Sequence, residues 1–400
     1  MTAVIIITIC SLLLIAYVFD LTSSRTRIPS AILLLLLGWA VRQSTNYFLP
    51  AIPDLNYLLP FIGTIGLILI VLEGSLELEL NKSKIGLIKK ATITALLPML
   101  ILSILLAFTF QYFLPELFFK DALANAIPLC IISSSIAIPS VKFLNSRSKE
   151  FITYESSLSD IFGIIFFNFV ALKELSEPHN IFESILLLLL MIAVSFAATL
   201  LLAYLLTKID HSIKFAPIIL AIILIYGIAK YFHLPALIFV LIFGLFLGNH
   251  KEFKGIYLIG KQMPDVLDGE VKKFKELNIE ATFLIRSLFF ILFGFLIDTA
   301  DILNRETLVW AVGIIAAVLI LRAVQFKILK LPVLPMLFIV PRGLINILLF
   351  LSIIPAQQIP LVNKSLILQL VILTAFIMML GLLASKQKAE QLDESAKTNA

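Results

Sequence analysis

Charged residues and cysteine are both scarce in this chain of 400 residues. Asp, Glu, Lys and Arg make up 14% of it, against about 25% in ordinary soluble domains. The two cysteines, Cys10 and Cys130, lie inside apolar runs and form no Cys-x-x-Cys motif. This pattern argues against a disulfide framework or a cysteine metal site. Since no loop is long enough for a soluble catalytic domain and no nucleotide-binding fingerprint occurs, we expect no cofactor.

Apolar residues are abundant instead, at 60% of the chain with a mean hydropathy of +1.06. A soluble fold of this length could not bury so much apolar surface, which predicts a protein embedded in membrane lipid. The net charge of +5 could suggest a nucleic-acid partner. However, the basic residues lie in short segments between apolar runs rather than on one face, so we expect no nucleic-acid binding.

A spanning helix needs about 20 apolar residues, and the apolar runs predict an all-α polytopic fold of about thirteen spans. The predicted spans are Val4–Phe19, Ile28–Arg42, Leu58–Leu78, Leu87–Phe113, Ala122–Leu144, Ile152–Leu172, Ile181–Leu206, Phe215–Tyr231, Leu234–Gly248, Leu277–Ile297, Leu308–Phe326, Pro332–Ile354 and Leu366–Ala384.

The distribution of Lys and Arg predicts the orientation of these spans. With the N-terminus outside, most basic residues, Arg322 among them, fall on the inner side, as the positive-inside rule requires. This predicts a multi-pass protein of the cytoplasmic (inner) membrane with its C-terminus in the cytoplasm. Residues 1–385 would form one transmembrane domain with a cytoplasmic linker at about 249–276, and residues 386–400 a short cytoplasmic tail.

The two halves of the chain contain three pairs of similar motifs, in the same order. Each pair joins span n to span n+7, so the second copy would cross the membrane in the opposite sense. This predicts inverted repeats, at about 28–172 and 234–384, with two broken helices that cross near the membrane midplane. The pairs are Ile28-Pro29-Ser30-Ala31 with Leu234-Pro235-Ala236-Leu237, Leu72-Glu73-Gly74-Ser75-Leu76 with Leu292-Phe293-Gly294-Phe295-Leu296, and the Ser133–Pro139 break with Val340-Pro341-Arg342-Gly343.

Ionisable residues inside predicted spans indicate where the site lies, because a charge at the bilayer centre costs at least about 2.5–3.5 kcal/mol. Asp160 and Arg342 both fall near the middle of their spans, and Glu155 lies just over one turn before Asp160. Hydroxyl groups surround this carboxylate: Ser156 is four residues before it and Ser159 is adjacent. Monovalent cations bind oxygen ligands, so the sequence predicts a monovalent cation site at Asp160, completed by serine hydroxyls and free carbonyls of the Ser133–Pro139 break.

A buried carboxyl group that can hold either a proton or a cation is a simple device for exchanging the two. The alternative reading is that Asp160 forms a structural salt bridge with Arg342, although Glu155 competes for that arginine. Glu73 and Asn346 are further candidates for the site. Arg286 either neutralises a site carboxylate or extends to the cytoplasmic interface.

These motifs resemble those of the cation:proton antiporter superfamily, the sodium/proton exchanger fold. The resemblance extends from about Ile5 to Leu383 and depends on Glu155-Ser156-x-x-Ser159-Asp160, the serine-rich break and Pro341-Arg342-Gly343. It implies that Asp160 alternates between cation and proton, with Ser156 and the backbone near Ser134 and Ser135 in the cation shell. It also implies a Glu155–Arg342 ion pair and a homodimer in which a core domain moves against a dimerisation domain.

The chain departs from the family pattern at Ser159, where electroneutral members have Asn and electrogenic members a second Asp. The break reads Ser-Ser-Ser-Ile-Ala, in place of the Thr-Asp-Pro of many electroneutral members. Because no second aspartate is present, our hypothesis is electroneutral, one-for-one Na⁺/H⁺ exchange. The alternatives are K⁺/H⁺ antiport or K⁺ efflux by the same fold, a polytopic membrane enzyme, and a transporter-like sensor without turnover.

Overall fold

The computed structural model describes residues 2–26, 28–48, 55, 57–78, 80, 82–141, 144–171, 193–205, 214–231, 236–253 and 266–398. Within these residues the secondary structure is entirely helical. Seven helical segments are long and apolar enough to cross a membrane, and four shorter apolar helices accompany them. Helices suit this environment because they satisfy their own backbone hydrogen bonds where no water is available.

Sixteen α-helices are described. They are α1 (Thr2–Thr26), α2 (Ser30–Phe48), α3 (Leu58–Glu77), α4 (Ile85–Phe113), α5 (Phe119–Cys130), α6 (Ser134–Ser140), α7 (Ser146–Ala171), α8 (Ala193–Leu205), α9 (Phe215–Tyr231), α10 (Ala236–Gly248), α11 (His250–Phe253), α12 (Val266–Phe295), α13 (Thr299–Ile302), α14 (Arg305–Ile328), α15 (Leu344–Ser352) and α16 (Lys364–Thr398). Short 3₁₀ turns occupy Lys82–Lys84, Met336–Phe338 and Pro355–Gln357.

Each predicted span corresponds to one of these helices or to a pair of half-helices. The start of the seventh span, residues 181–192, and the start of the ninth, residues 234–235, lie outside the described residues. Many helix ends lie a few residues away from the predicted bounds, and two segments outside the predicted spans are helical. Part of the predicted linker at 249–276 is helical, because α11 and the beginning of α12 lie in it, and α16 continues to Thr398 through the predicted tail.

Two pairs of packed helices occupy equivalent places in the two predicted repeats. The first helix of each repeat packs against a helix of the other repeat: α2 against α12, and α10 against α3. Glycines make both contacts close. A Cβ atom on Gly38 would lie 2.1 Å from the Ile291 carbonyl oxygen, and one on Gly244 would lie 1.8 Å from Ser75 Oγ. Gly38 and Gly244 occupy the same place in the repeated motif, nine residues after its proline.

The predicted helix breaks are both present. The fifth span divides into α5 and α6, with extended backbone at Ile131 and Ser133 between them. The twelfth begins as the 3₁₀ turn Met336–Phe338 and resumes as α15 after residues 339–343. Pro341, which has no backbone N–H group, lies in the second break and cannot continue a helical ladder there. The breaks therefore expose backbone groups that other parts of the chain must satisfy.

Candidate functional site

The two helix breaks meet inside the protein. The Ser133 backbone N–H donates to the Pro341 carbonyl oxygen at 2.8 Å, so the chain of one break bonds directly to the other. Gly343 permits this approach, because a Cβ atom there would lie 2.6 Å from Ser133 Oγ. The junction of the breaks is thus a fixed contact between the two repeats.

Side chains of the second break and of the first turn of α15 bind the carbonyl groups at the end of α5. The Arg342 Nε donates to the Leu129 carbonyl at 3.0 Å, and Asn346 Nδ2 donates to the carbonyls of Pro128 and Ile131 at 2.7 and 2.9 Å. A helix end leaves such carbonyls without partners of its own. These carbonyls are therefore occupied by protein donors; they precede the Ser133–Pro139 segment whose free carbonyls the sequence predicted.

Asp160 binds the start of α6, on the other side of the break. Its Oδ2 accepts the Ser134 backbone N–H at 3.0 Å and also the Ser134 hydroxyl. Its Oδ1 is buried and has no hydrogen-bond partner within the described part of the chain. The residue is 4% exposed. One oxygen therefore anchors the carboxylate while the other remains available to a ligand.

The serines that flank Asp160 hold the backbone around it. Ser159 Oγ accepts the Ile132 backbone N–H at 2.9 Å, which satisfies a group of the break. Ser156 Oγ donates to the Ile152 carbonyl of its own helix at 2.8 Å, an arrangement that leaves its lone pairs available. Both predicted site serines are buried.

The predicted ion pair of Glu155 with Arg342 is wrong. Glu155 binds Arg322 of α14, through two hydrogen bonds of 2.7 Å from Nη1 and Nη2 to the two carboxylate oxygens. The side chains are 1% and 2% exposed. The Arg322 Nε also donates to the Met336 carbonyl at 3.1 Å, and its guanidinium lies over the Phe326 ring. Arg342 is engaged with backbone carbonyls instead, so it does not reach Glu155.

Sequence reasoning missed Arg322 because it was counted with the basic residues of the inner side. It lies four residues before the predicted end of its span, but α14 continues to Ile328, which places Arg322 inside the helical segment. An arginine inside an apolar run usually has a partner or a function. That rule, applied here, would have indicated Arg322 as a second candidate for the Glu155 pair.

A cavity of about 550 Å³ reaches the start of α6. Ser134 and Ser135 line it, as do Glu73 and Arg286, so two of the further candidates lie beside the predicted site. Ser135 Oγ lies 2.9 Å from Ser133 Oγ. Further acidic side chains in the lining are Asp20, Glu77 and Glu280. The cavity therefore leads from an acidic region to the hydroxyl that binds Asp160.

Comparisons with known proteins agree with this architecture. A family model described as "Sodium/hydrogen exchanger, transmembrane" matches residues 9–385. A search of curated proteins finds no match. Among solved structures, the sodium proton antiporter MjNhaP1 from Methanocaldococcus jannaschii at pH 8 is similar, with a TM-score of 0.68, 20% identity, and coverage of 94% of this chain and 96% of that one. A 3D EM map of MjNhaP1 gives the same TM-score and identity, with 98% and 97% coverage.

Proposed function

Because this chain belongs to the sodium/hydrogen exchanger family, and is thus a multi-pass cation:proton antiporter rather than an enzyme, we propose that it exchanges Na⁺ for protons one for one at Asp160. The family match rules out the alternative of a polytopic membrane enzyme. The single observation that supports our proposed site is the buried Asp160 carboxylate, which has one oxygen bound by Ser134 and the other without a partner.

Asp160 provides the competition that antiport requires. A carboxylate in a dry site binds either a proton or a metal cation, and a bare charge there is costly. The protein therefore changes conformation with one of the two bound rather than with neither. Release of a cation on one side and a proton on the other couples the two gradients.

The cation shell that we propose combines Asp160 Oδ1 with hydroxyl oxygens nearby. Ser156 has lone pairs available beside the carboxylate, and Ser134 and Ser135 line the cavity that leads to it. Ser159, whose hydroxyl binds the break, acts as a positioning residue.

Three other residues have supporting roles in this proposal. Glu73 and Arg286 line the cavity and contribute to its charge. Asn346 holds the two breaks together, since its side chain donates to the Pro128 carbonyl of α5 and accepts the Gly343 N–H. In the orientation that the basic residues predict, this cavity opens to the cytoplasm and the N-terminus lies outside.

We also propose that the protein is a homodimer in the cytoplasmic membrane, as the family resemblance implies. Large apolar side chains of α1, such as Ile7, Leu14 and Leu21, are more than half exposed, which leaves a surface for lipid or a second copy. The mass of the protein in lipid nanodiscs tests this point, and a purely monomeric distribution would contradict it.

The test of the proposed function is cation-driven proton movement in proteoliposomes with Na⁺, Li⁺ and K⁺ across a range of pH. We expect Na⁺ to collapse an imposed pH gradient with the wild type, and Asp160→Asn to abolish the response because the amide carries no exchangeable charge. Asp298→Asn is the matched control, since Asp298 is largely exposed and forms a surface pair with Arg42.

Each outcome has a defined meaning. Loss of exchange in Asp160→Asn with normal exchange in Asp298→Asn supports Asp160 as the site. A response to K⁺ alone would replace Na⁺ by the K⁺/H⁺ alternative. A folded wild type that responds to none of the three cations would overturn the proposal and favour the sensor alternative.

A further inference from the structure

Two buried oxygen atoms on α7 share a distinctive property. Asp160 Oδ1 and Ser157 Oγ have no hydrogen-bond partner within the described part of the chain. They lie three residues apart, so they share one side of the helix. Buried polar atoms are nearly always satisfied, and an exception indicates an absent ion or water as one cause.

Ser157 faces Gly74 of α3, a residue that lines the cavity. A Cβ atom added to Gly74 would lie 3.5 Å from Ser157 Oγ, so these two residues face each other across the contact between α3 and α7. Gly74 and its neighbour Glu73 both line the 550 Å³ cavity. Because Gly74 has no side chain, space remains beside the Ser157 hydroxyl.

The other hydroxyls near Asp160 already have partners. Ser134 binds the carboxylate, Ser159 binds the Ile132 N–H and Ser156 binds the Ile152 carbonyl. Ser157 therefore differs from them in having an unused hydroxyl, three residues before the carboxylate whose Oδ1 is also unused.

We propose that Ser157 is an oxygen ligand of the transported cation, on the α3 side of the site, and that Gly74 leaves the room for that ion. This inference rests on the proposed function at Asp160. A monovalent cation between the two oxygens would satisfy both.

Ser157→Ala tests the ligand. We expect the KM for the driving cation to rise on the order of tenfold, the effect of losing one good ligand, with exchange still present at saturating cation. Cation-dependent thermal stabilisation of the purified protein should weaken in parallel. Ser157→Thr keeps the hydroxyl and should retain a KM near that of the wild type.

Ser195→Ala is the matched control. Ser195 on α8 is also a buried serine without a partner in the described chain, so the variant removes the same group from a different helix. We expect its cation KM to be unchanged. Equal KM values for wild type and Ser157→Ala, in a protein whose exchange still requires Asp160, would overturn this inference and leave the proposed function intact.

Gly74→Ala tests whether the space beside the Ser157 hydroxyl accommodates the cation. Its methyl group would make an ordinary 3.5 Å contact with Ser157 Oγ, so we expect it to fold while narrowing the site. The KM should rise more for K⁺ than for Li⁺. Gly86→Ala, where an added Cβ meets nothing within 4 Å, is the control and should leave the cation order unchanged. An unchanged cation order in Gly74→Ala would contradict the assigned role of Gly74.

Discussion

At the scale of single residues, the Glu155–Arg322 pair is a buried ion pair with two hydrogen bonds. Both side chains are almost fully buried, and two 2.7 Å hydrogen bonds join them. Removing one member of a buried pair costs about 3–5 kcal/mol, because the other charge is left in a low dielectric. We therefore expect Arg322→Ala to reduce folded yield and to lower the melting temperature, measured by size-exclusion chromatography after heating.

A double variant separates the pair from the packing around it. Glu155→Leu combined with Arg322→Met removes both charges and should recover much of the lost stability, since apolar replacements of buried pairs are often tolerated. If Arg322→Ala alone melted at the wild-type temperature, the pair would have no stabilising role.

The sequence was sufficient to predict a buried carboxylate at Asp160 but not the ion-pair partner of Glu155. Asp160 could be predicted because a carboxylate in the middle of an apolar span has few explanations. The partner of Glu155 could not, because two arginines on different helices were available and only packing decides between them. Arg342 donates to a carbonyl at the end of α5. That carbonyl lacks a helical partner only because the helix is broken there, and the sequence alone does not show which side chain satisfies it.

At the scale of helices, close glycine contacts hold the two repeats together. Gly38 of α2 lies against the α12 backbone, where an added Cβ would be 2.1 Å from the Ile291 carbonyl oxygen. Backbone cannot yield as a flexible side chain can, so Gly38→Ala must separate the helices. We expect a loss of about 1–3 kcal/mol, as for other overpacked sites, seen as a lower melting temperature in detergent.

Gly227→Ala is the control for this prediction. Gly227 lies within α9, and an added Cβ there meets nothing within 4 Å. Alanine is the better helix former by roughly 0.5–1 kcal/mol, so this variant should be at least as stable as the wild type. A Gly38→Ala protein that matched it would contradict the tight α2–α12 contact.

The positions of the helices were easier to predict from the sequence than the residues at which they begin and end. Apolar runs of membrane length predict spans directly, and the third pair of repeated motifs, polar and proline-bearing, predicted the breaks at Ser133–Pro139 and Val340–Gly343. The extension of α12 back to Val266 was not predicted, because spans were predicted from apolar runs and this segment is polar.

At the scale of the whole molecule, the charge that moves with the site decides whether membrane potential drives exchange. Asp160 with a monovalent cation is neutral, and Asp160 with a proton is neutral as well. Glu155 and Arg322 cancel each other, the Arg342 charge is the same in both states, and Ser159 adds no second carboxylate. With exchange at Asp160 alone, as proposed, the two loaded states would carry equal charge across the membrane.

Equal charge predicts exchange that does not respond to membrane potential. One uncompensated charge would couple to the field by about 2.3 kcal/mol per 100 mV, which would alter the Na⁺ gradient at equilibrium substantially. In proteoliposomes with a potential imposed by a thiocyanate gradient, we expect the rate and extent of Na⁺-driven proton movement to match those at zero potential. Ser159→Asp places a second carboxylate beside the first, and exchange by this variant should become sensitive to potential if the added group takes part. A clear potential response of the wild type would mean that a second charge moves with each cycle, and the one-for-one stoichiometry would then be abandoned.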